Sequence, residues 1–352
     1  MSRTTRFLSI CASLAIALGA IASPAQAETS NRGLYGAADP TYDGVFRQSL
    51  AIMGLAGAGV RPAPDAVSWL LSQQCADGGF QAYRADVAAP CTPSDPANFA
   101  GEDTNSTATA LLALMALNDN AAASDAVLDK ATNAAEKAFT WLRKKQASDG
   151  GWAYYPGGQS DANSTGLALS ALQSIYPGGS TPKPLTRGFR YLGALTLPCT
   201  SATPGALPYQ AGGAANASAS AQAFIGLTGS IPVRGPRTLR TGPTCGTTTK
   251  AKVGAYLSNQ LTAHGALPSA LGAGEDDTST AFAVLGFVAA GTGKAAVAKA
   301  TKALAANARA YTSSAAGPSA LGLLLMVAEA TGRNPRAFGS LNLVTALQAA
   351  KQ

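Results

Sequence analysis

The sequence predicts an all-α fold in which about six helical hairpins close into two concentric layers. Three observations predict it. A polar-to-apolar element returns along the chain at intervals of 55 to 60 residues. A second element, an aromatic-led helix end running into a glycine turn, returns between its copies. The apolar content is carried by small side chains, with hydrophobic residues at 47% but aromatics at only 7%, beside 38 glycines. Small residues let helix axes approach closely, which layered helix packing requires.

The first element is clearest at Asp103-Thr104-Asn105-Ser106-Thr107, followed by the apolar stretch Ala108–Leu117. It returns at Asp161-Ala162-Asn163-Ser164-Thr165 and at Asp276-Asp277-Thr278-Ser279-Thr280. Weaker copies start at Asn216 and Asp43, and a degraded one at Gly317-Pro318-Ser319. Asp and Asn are the side chains that accept from free amides in a first helical turn, so each copy reads as a helix start. The stretches that follow are apolar nearly all round, and such helices are enclosed on every side. The second element is Trp69-Leu70-Leu71-Ser72-Gln73-Gln74 before Asp77-Gly78-Gly79-Phe80, and Trp141 to Gln146 before Asp149-Gly150-Gly151-Trp152, with fainter versions at Tyr191 and Tyr256. A glycine pair allows positive φ where the helix stops. One unit is therefore outer helix, glycine turn, loop and inner helix. Five or six units closing on themselves make an α/α toroid.

Residues 1–27 read as a signal peptide: Arg3 and Arg6, a short apolar run from Phe7 to Leu18, then Ala25-Gln26-Ala27, with cleavage expected after Ala27. The segment 28–41 reads as an exported linker and 42–352 as the toroid domain. No other stretch reaches the ~18 apolar residues of a membrane helix, so no membrane span is expected. Past the leader there are four cysteines. An even count in an exported chain favours disulfides, and Cys75–Cys91 and Cys199–Cys245 are the expected pairs, each bracketing a Pro/Gly-rich loop. The net charge is +7, with no basic cluster long enough to track a phosphate backbone. Nucleic acid is excluded as a partner on that ground.

The run from Lys137 to Trp152 resembles the QW motif of the prenyltransferase and squalene-cyclase repeat families, and Asp77-Gly78-Gly79-Phe80 is a near copy. The inner-helix start from Ser160 to Leu169 also resembles those of the cobalamin carriers, intrinsic factor and transcobalamin. The resemblance spans about residues 42 to 350 and implies the toroid fold. That fold hosts cyclases, protein prenyltransferases, cobalamin carriers and lyases, so it does not choose a function by itself.

Four chemistries follow. Gly274-Glu275-Asp276-Asp277-Thr278 resembles the DxDDT motif of class II terpene cyclases, which implies Asp276 as general acid with Asp277 beside it. Gly274 stands where that motif has its first Asp, and the competing reading is that these residues cap a helix, as Asp103 and Asp161 do. A prenyltransferase zinc would need His264, the only His, which reads as a turn residue with no Cys at ligand spacing; no metal is expected. A secreted polysaccharide lyase or hydrolase would draw on Asp77, Asp103, Asp149 and Asp161, with Arg84 and Arg143 loosely placed. The fourth reading is not catalytic. Inner-helix N-termini converge on one mouth, ringed by Asp43, Asp103, Asn105, Asp161, Asn163, Asn216, Asp276 and Thr278, with Trp152, Tyr154 and Tyr155 on nearby loops. The favoured expectation is an exported toroid that binds a small ligand there, corrinoid-like or prenyl, or else a protein partner. No cofactor is expected beyond a corrinoid as ligand.

Overall fold

The computed structural model describes residues 31–118, 125–176, 182–229, 231, 235–270, 272–314 and 317–352. The expected signal peptide and residues 28–30 lie outside them. Six helices form the inner layer: α1 (Gly44–Gly57), α3 (Thr104–Asn118), α5 (Ala162–Ile175), α7 (Ala217–Thr228), α9 (Asp277–Ala290) and α11 (Gly317–Thr331). The outer layer is α2 (Pro64–Ser72), α4 (Asp125–Lys144), α6 (Lys183–Leu195), α8 (Thr249–His264), α10 (Lys294–Thr312) and α12 (Leu343–Ala349). Each inner helix packs on the next, and α11 packs back on α1. The ring is closed. Two residue pairs, β1 (Leu267–Pro268) and β2 (Glu275–Asp276), make the only sheet among the described residues.

The inner helices are buried on all faces, as their composition requires; every residue of α9 from Ser279 to Val288 is buried. A helix with no exposed face leaves no open lumen beside it, so side chains fill the middle of the ring. Close approach depends on glycine where helices cross. A Cβ on Gly54 of α1 would lie 2.7 Å from the Gly322 Cα of α11, and a Cβ on Gly226 of α7 would lie 2.9 Å from the Gly166 Cα of α5.

The glycine turns join the two layers. Gly78 and Gly150 take φ of +102° and +94°. A Cβ on either would come within 2.7 Å of a carbonyl oxygen on the next outer helix, Lys137 of α4 or Arg187 of α6. Gln74 and Gln146 reinforce this joint: each amide donates to its own turn and to the following outer helix, at the Ala134 and Pro184 carbonyls.

Both expected disulfides are present. Cys75–Cys91 staples one loop as foreseen. Cys199–Cys245 encloses more than a loop, since the whole of α7 lies between its ends. The segment expected as a linker also differs. Leu34 and Tyr35 are fully buried, and the backbone from Gly33 to Gly36 bonds to Ala350 and Gln352. Residues 33–36 are part of the ring: the Gly33 and Gly36 amides are satisfied on the last segment, and the Tyr35 amide on the Gln48 side chain of α1.

Candidate functional site

The mouth at the inner-helix N-termini is built by one hydrogen-bond scheme used four times. A cap oxygen accepts the amide three residues on: Asp103 from Ser106 at 2.7 Å, Asp161 from Ser164 at 2.7 Å, Asn216 from Ala219 at 2.9 Å and Asp276 from Ser279 at 2.9 Å. The hydroxyl four residues after the cap accepts the amide of the residue that follows the glycine turn. Thus Thr107 holds Phe80, Thr165 holds Trp152, Ser220 holds Leu207 and Thr280 holds Leu267, all at 2.9 Å. This second role was missed in the sequence, although the recurrence of Ser or Thr at that position signals it. Asp43 departs from the scheme. It makes no cap bond and pairs with Arg47 at 3.4 Å.

Above these caps lie two hollows that share Tyr209. The first, about 430 Å³, is lined by Tyr42, Pro96, Phe99, Tyr154, Tyr155, Asp161, Gln159, Tyr209 and Gln210 among others. Its rings touch one another: Tyr154 and Tyr155 at 4.7 Å between centroids, Phe99 edge-on to Tyr155 at 6.4 Å. The Tyr155 hydroxyl donates to the Phe99 carbonyl at 2.8 Å, and Ser94 donates to Pro156, so the loop 92–101, which follows the Cys75–Cys91 staple, forms one wall. Of the candidates, Tyr154, Tyr155 and Asp161 lie here. Tyr42, Phe99 and Tyr209 were not foreseen, because they come from three separate loops with no shared local pattern.

The second hollow, about 530 Å³, brings together Asn163, Asn216, Asp276, Asp277 and Thr278 with Ser218, Glu275, Tyr209 and Tyr311. Thr278 and Tyr311 share a hydrogen bond of 2.8 Å. Asp277 accepts from Asn307, and Ser279 donates through its hydroxyl to Asp276. The hollow opens at the mouth, above the filled lumen.

Burial governs the electrostatics. It pushes Asp103 up to about 7 against the hydrogen bonds from Ser106, and Asp161 up to about 6 against those from Ser164 and Tyr154. Burial also raises Asp277, and the neighbouring Glu275 and Asp276 charges add to it. Asp103 Oδ2, Asn105 Oδ1 and Asn163 Oδ1 are buried oxygens with no hydrogen-bond partner.

Several candidates are placed away from these two hollows. Trp152 is fully buried, and its indole N–H donates to the Leu142 carbonyl at 2.8 Å. It seals the joint between layers and offers no face to a ligand, which corrects its placement at the mouth. Asp103 is buried behind the mouth, and Asn105 lines neither hollow. Arg84 donates to four backbone carbonyls, of Ser72, Gln74, Val87 and Ala89, so its charge holds the stapled loop. Arg143 lies over the Phe139 ring at 5.4 Å. His264 is the exposed last residue of α8. Among the described residues no helix is long and apolar enough to cross a membrane.

Compared by sequence, the chain matches no family model and no curated protein. Compared by structure, it is similar to the type II terpene cyclase MstE from Scytonema without ligand, at TM-score 0.52 and 16% identity, over 87% of this chain and 77% of that one. A single-residue variant of the same enzyme matches at TM-score 0.54 and 15% identity, over 86% and 79%. The cellobiose 2-epimerase from Spirochaeta thermophila DSM 6192 matches at TM-score 0.44 and 14% identity, over 86% and 78%. At these identities the likeness is one of fold: the chain is an α/α toroid.

Proposed function

We propose that this chain is an exported, non-catalytic toroid that binds a sugar-like ligand in the aromatic hollow at the inner-helix N-terminal mouth. One observation carries the reading. Four large hydrophobic side chains are exposed among the described residues, and three of them, Tyr42 at 85%, Phe99 at 79% and Tyr209 at 40%, ring this single hollow. Clustered exposed rings are costly in water and mark binding surfaces. Flat faces beside the amides of Gln159 and Gln210 suit a pyranose, which offers C–H faces and hydroxyl edges.

Catalysis is disfavoured by how the acids are spent. Both oxygens of Asp161 accept hydrogen bonds from its own helix start and from Tyr154, so this carboxyl has a structural task in place of a reacting partner. A uronate lyase needs a cation beside its base, and among the described residues no Lys or Arg lines either of these two hollows. The corrinoid reading rests on the sequence resemblance alone. Export is supported by the leader sequence and by two disulfides in a chain that would otherwise meet a reducing cytosol.

A second reading, cyclase-like protonation by Asp276, is favoured by the likeness in fold to a type II terpene cyclase and by the run Glu275-Asp276-Asp277-Thr278. Against it, the carboxyl caps Ser279 in an open hollow, whereas a protonating acid needs a dry chamber.

Calorimetric titration of the disulfide-intact exported chain with oligosaccharides, corrinoids and squalene-type lipids tests the proposal. Saturable oligosaccharide binding that is lost in a Tyr42→Ala/Phe99→Ala double variant supports it. Binding unaffected by that variant, or no oligosaccharide binding at all, overturns it. Lipid that is retained and chemically altered moves the assignment to Asp276.

A further inference from the structure

The cap at the start of α5 makes bonds that its sister caps do not. Its Oδ1 accepts the Ser164 amide at 2.7 Å, as the shared scheme requires. Its second oxygen departs from the others. Asp103 Oδ2 has no partner, Asn216 carries an amide nitrogen in that place, and Asp276 Oδ2 takes the Ser279 hydroxyl of its own helix. Asp161 Oδ2 takes the Ser164 hydroxyl at 2.9 Å and, from outside its helix, the Tyr154 amide at 3.1 Å. The carboxyl also accepts from the Tyr209 hydroxyl. Capping requires neither of the two outside bonds.

Tyr154 and Tyr209 hold the same place in successive units, two residues after Trp152 and Leu207. Each carbonyl accepts from the first amide of an inner helix, Tyr154 from Thr104 at 2.8 Å and Tyr209 from Ala162 at 2.9 Å. In the first unit the equivalent residue is Ala82, which has no ring. Asp161 therefore joins two ring-bearing loops, in the wall of the hollow that both of them line.

Every partner of this carboxyl is a donor. Protonation sets a hydrogen on an oxygen that already faces an N–H or O–H. The Ser164 and Tyr209 hydroxyls can turn and accept, but a backbone amide cannot reverse. The Ser164 amide is fixed by the first turn of α5, so the bond that yields is the one from Tyr154, which lies on a loop. The charged groups around the site are acids: Asp103 of the preceding cap, across Tyr154, and Asp149, across Tyr191 of α6. Among the described residues no Lys, Arg or His lines the hollow to hold the carboxylate ionised. Burial brings its titration up to about 6.

We propose that Asp161 is the positioning residue of the aromatic hollow and its pH switch: ionised, it sets the Tyr154 and Tyr209 rings for a bound sugar, and protonated, it releases Tyr154 and loosens the hollow. This rests on the sugar-binding reading above and adds the regulation of that site.

Hydrogen exchange on the disulfide-intact chain tests the switch without any ligand. Protection of the Tyr154 amide, corrected for its intrinsic rate, is expected to fall roughly tenfold as pH is lowered from about 7.5 to about 5. The Trp152 amide, held by the Thr165 hydroxyl, which does not titrate, should keep its protection. Neutral tetramers of glucose and of N-acetylglucosamine, titrated calorimetrically, then read the hollow itself. Affinity is expected to be roughly tenfold weaker at the acidic end, even though the chain as a whole melts higher there. Asp161→Asn keeps an oxygen for the Ser164 amide but turns an NH2 group on Tyr154, so it should bind at every pH as the natural chain does in acid. Asp103→Asn should leave the swing intact. Unchanged protection at Tyr154 overturns the inference, and so does a swing that survives in Asp161→Asn or disappears in Asp103→Asn. Protection that switches in a chain binding neither tetramer leaves the switch standing and overturns the sugar-binding proposal.

Discussion

Replacing Thr107 by Val isolates the hydrogen bond that joins each glycine turn to its inner helix. The Thr107 hydroxyl accepts from the Phe80 amide at 2.9 Å and donates to the Asp103 carbonyl at 2.8 Å. Valine fills the same volume, so no cavity opens. The Asp103 carbonyl keeps a partner, because the Thr107 backbone amide also donates to it. Only the Phe80 N–H is orphaned, in a residue with no exposed surface. Leaving one buried donor unpaired costs about 1–3 kcal/mol. Thr109 supplies the control. It is equally buried, but its hydroxyl donates only to carbonyls of its own helix, at Asn105 and Ser106, and accepts nothing. Thr109→Val should therefore cost well under ~1 kcal/mol. Urea unfolding of the disulfide-intact chain, followed by circular dichroism, gives the difference, and hydrogen exchange at the Phe80 amide locates it. Equal destabilisation by the two variants would refute the assignment of the hydroxyl as the clasp of the turn.

Further predictions follow from other contacts. Gly322→Ala drives a methyl group into the Leu50 carbonyl at the α1–α11 crossing, and overpacking there should lower stability by about 1–3 kcal/mol in the same unfolding assay. Glu102, Asp103 and Asp161 are held by burial at about 7, 7 and 6 when folded. The unfolded chain releases these protons nearer pH 4, so the folded state binds more protons across the interval between. Their contribution to stability is complete at the acidic end and fades as pH rises toward neutrality. Melting temperature should rise as pH falls from near 7 to near 5. Glu102→Gln, which relieves the buried carboxyl facing Asp77, should stabilise at the neutral end and do little at the acidic end. Asp276→Asn keeps an oxygen for the Ser279 amide and should change stability by less than ~1 kcal/mol, whereas Asp276→Ala should lose a full cap, about 0.5–2 kcal/mol. If both variants melt alike, Asp276 is not a cap.

The legible parts of the fold were those that a few neighbouring residues decide. Asp103, Asp161, Asn216 and Asp276 announce helix starts because a cap needs only its own first turn. Gly78 and Gly150 announce turns because few other residues tolerate their φ. The disulfide pairs were expected from the Pro/Gly-rich stretches they bracket, although the second also encloses α7. What the sequence concealed depends on residues far apart. The pairing of Gly33–Gly36 with the last three residues has no local signature, so that segment read as a linker. The aromatic hollow takes Tyr42, Phe99, Tyr154 and Tyr209 from four loops, and only the adjacent Tyr154 and Tyr155 stood out. Trp152 misled for a related reason: an aromatic after a glycine turn can face either the mouth or the joint between layers. The Leu142 carbonyl, ten residues earlier on α4, decides that it faces inward.

The pairing of the two ends has a consequence for how the molecule tolerates cutting and lengthening. An open helical array can gain or lose a unit at either end, since each unit touches only its neighbours. Here α11 must meet α1 at Gly322 and Gly54, and Gln352 must reach Leu34. The circumference is fixed at six units, and an inserted seventh would leave the seam unmade. The same seam makes residues 33–36 and 350–352 neighbours in space, so the opening in the belt can be moved. New termini cut into a surface loop, with residue 31 joined to residue 352 by a short linker, should give the same ring with its buckle in a different place.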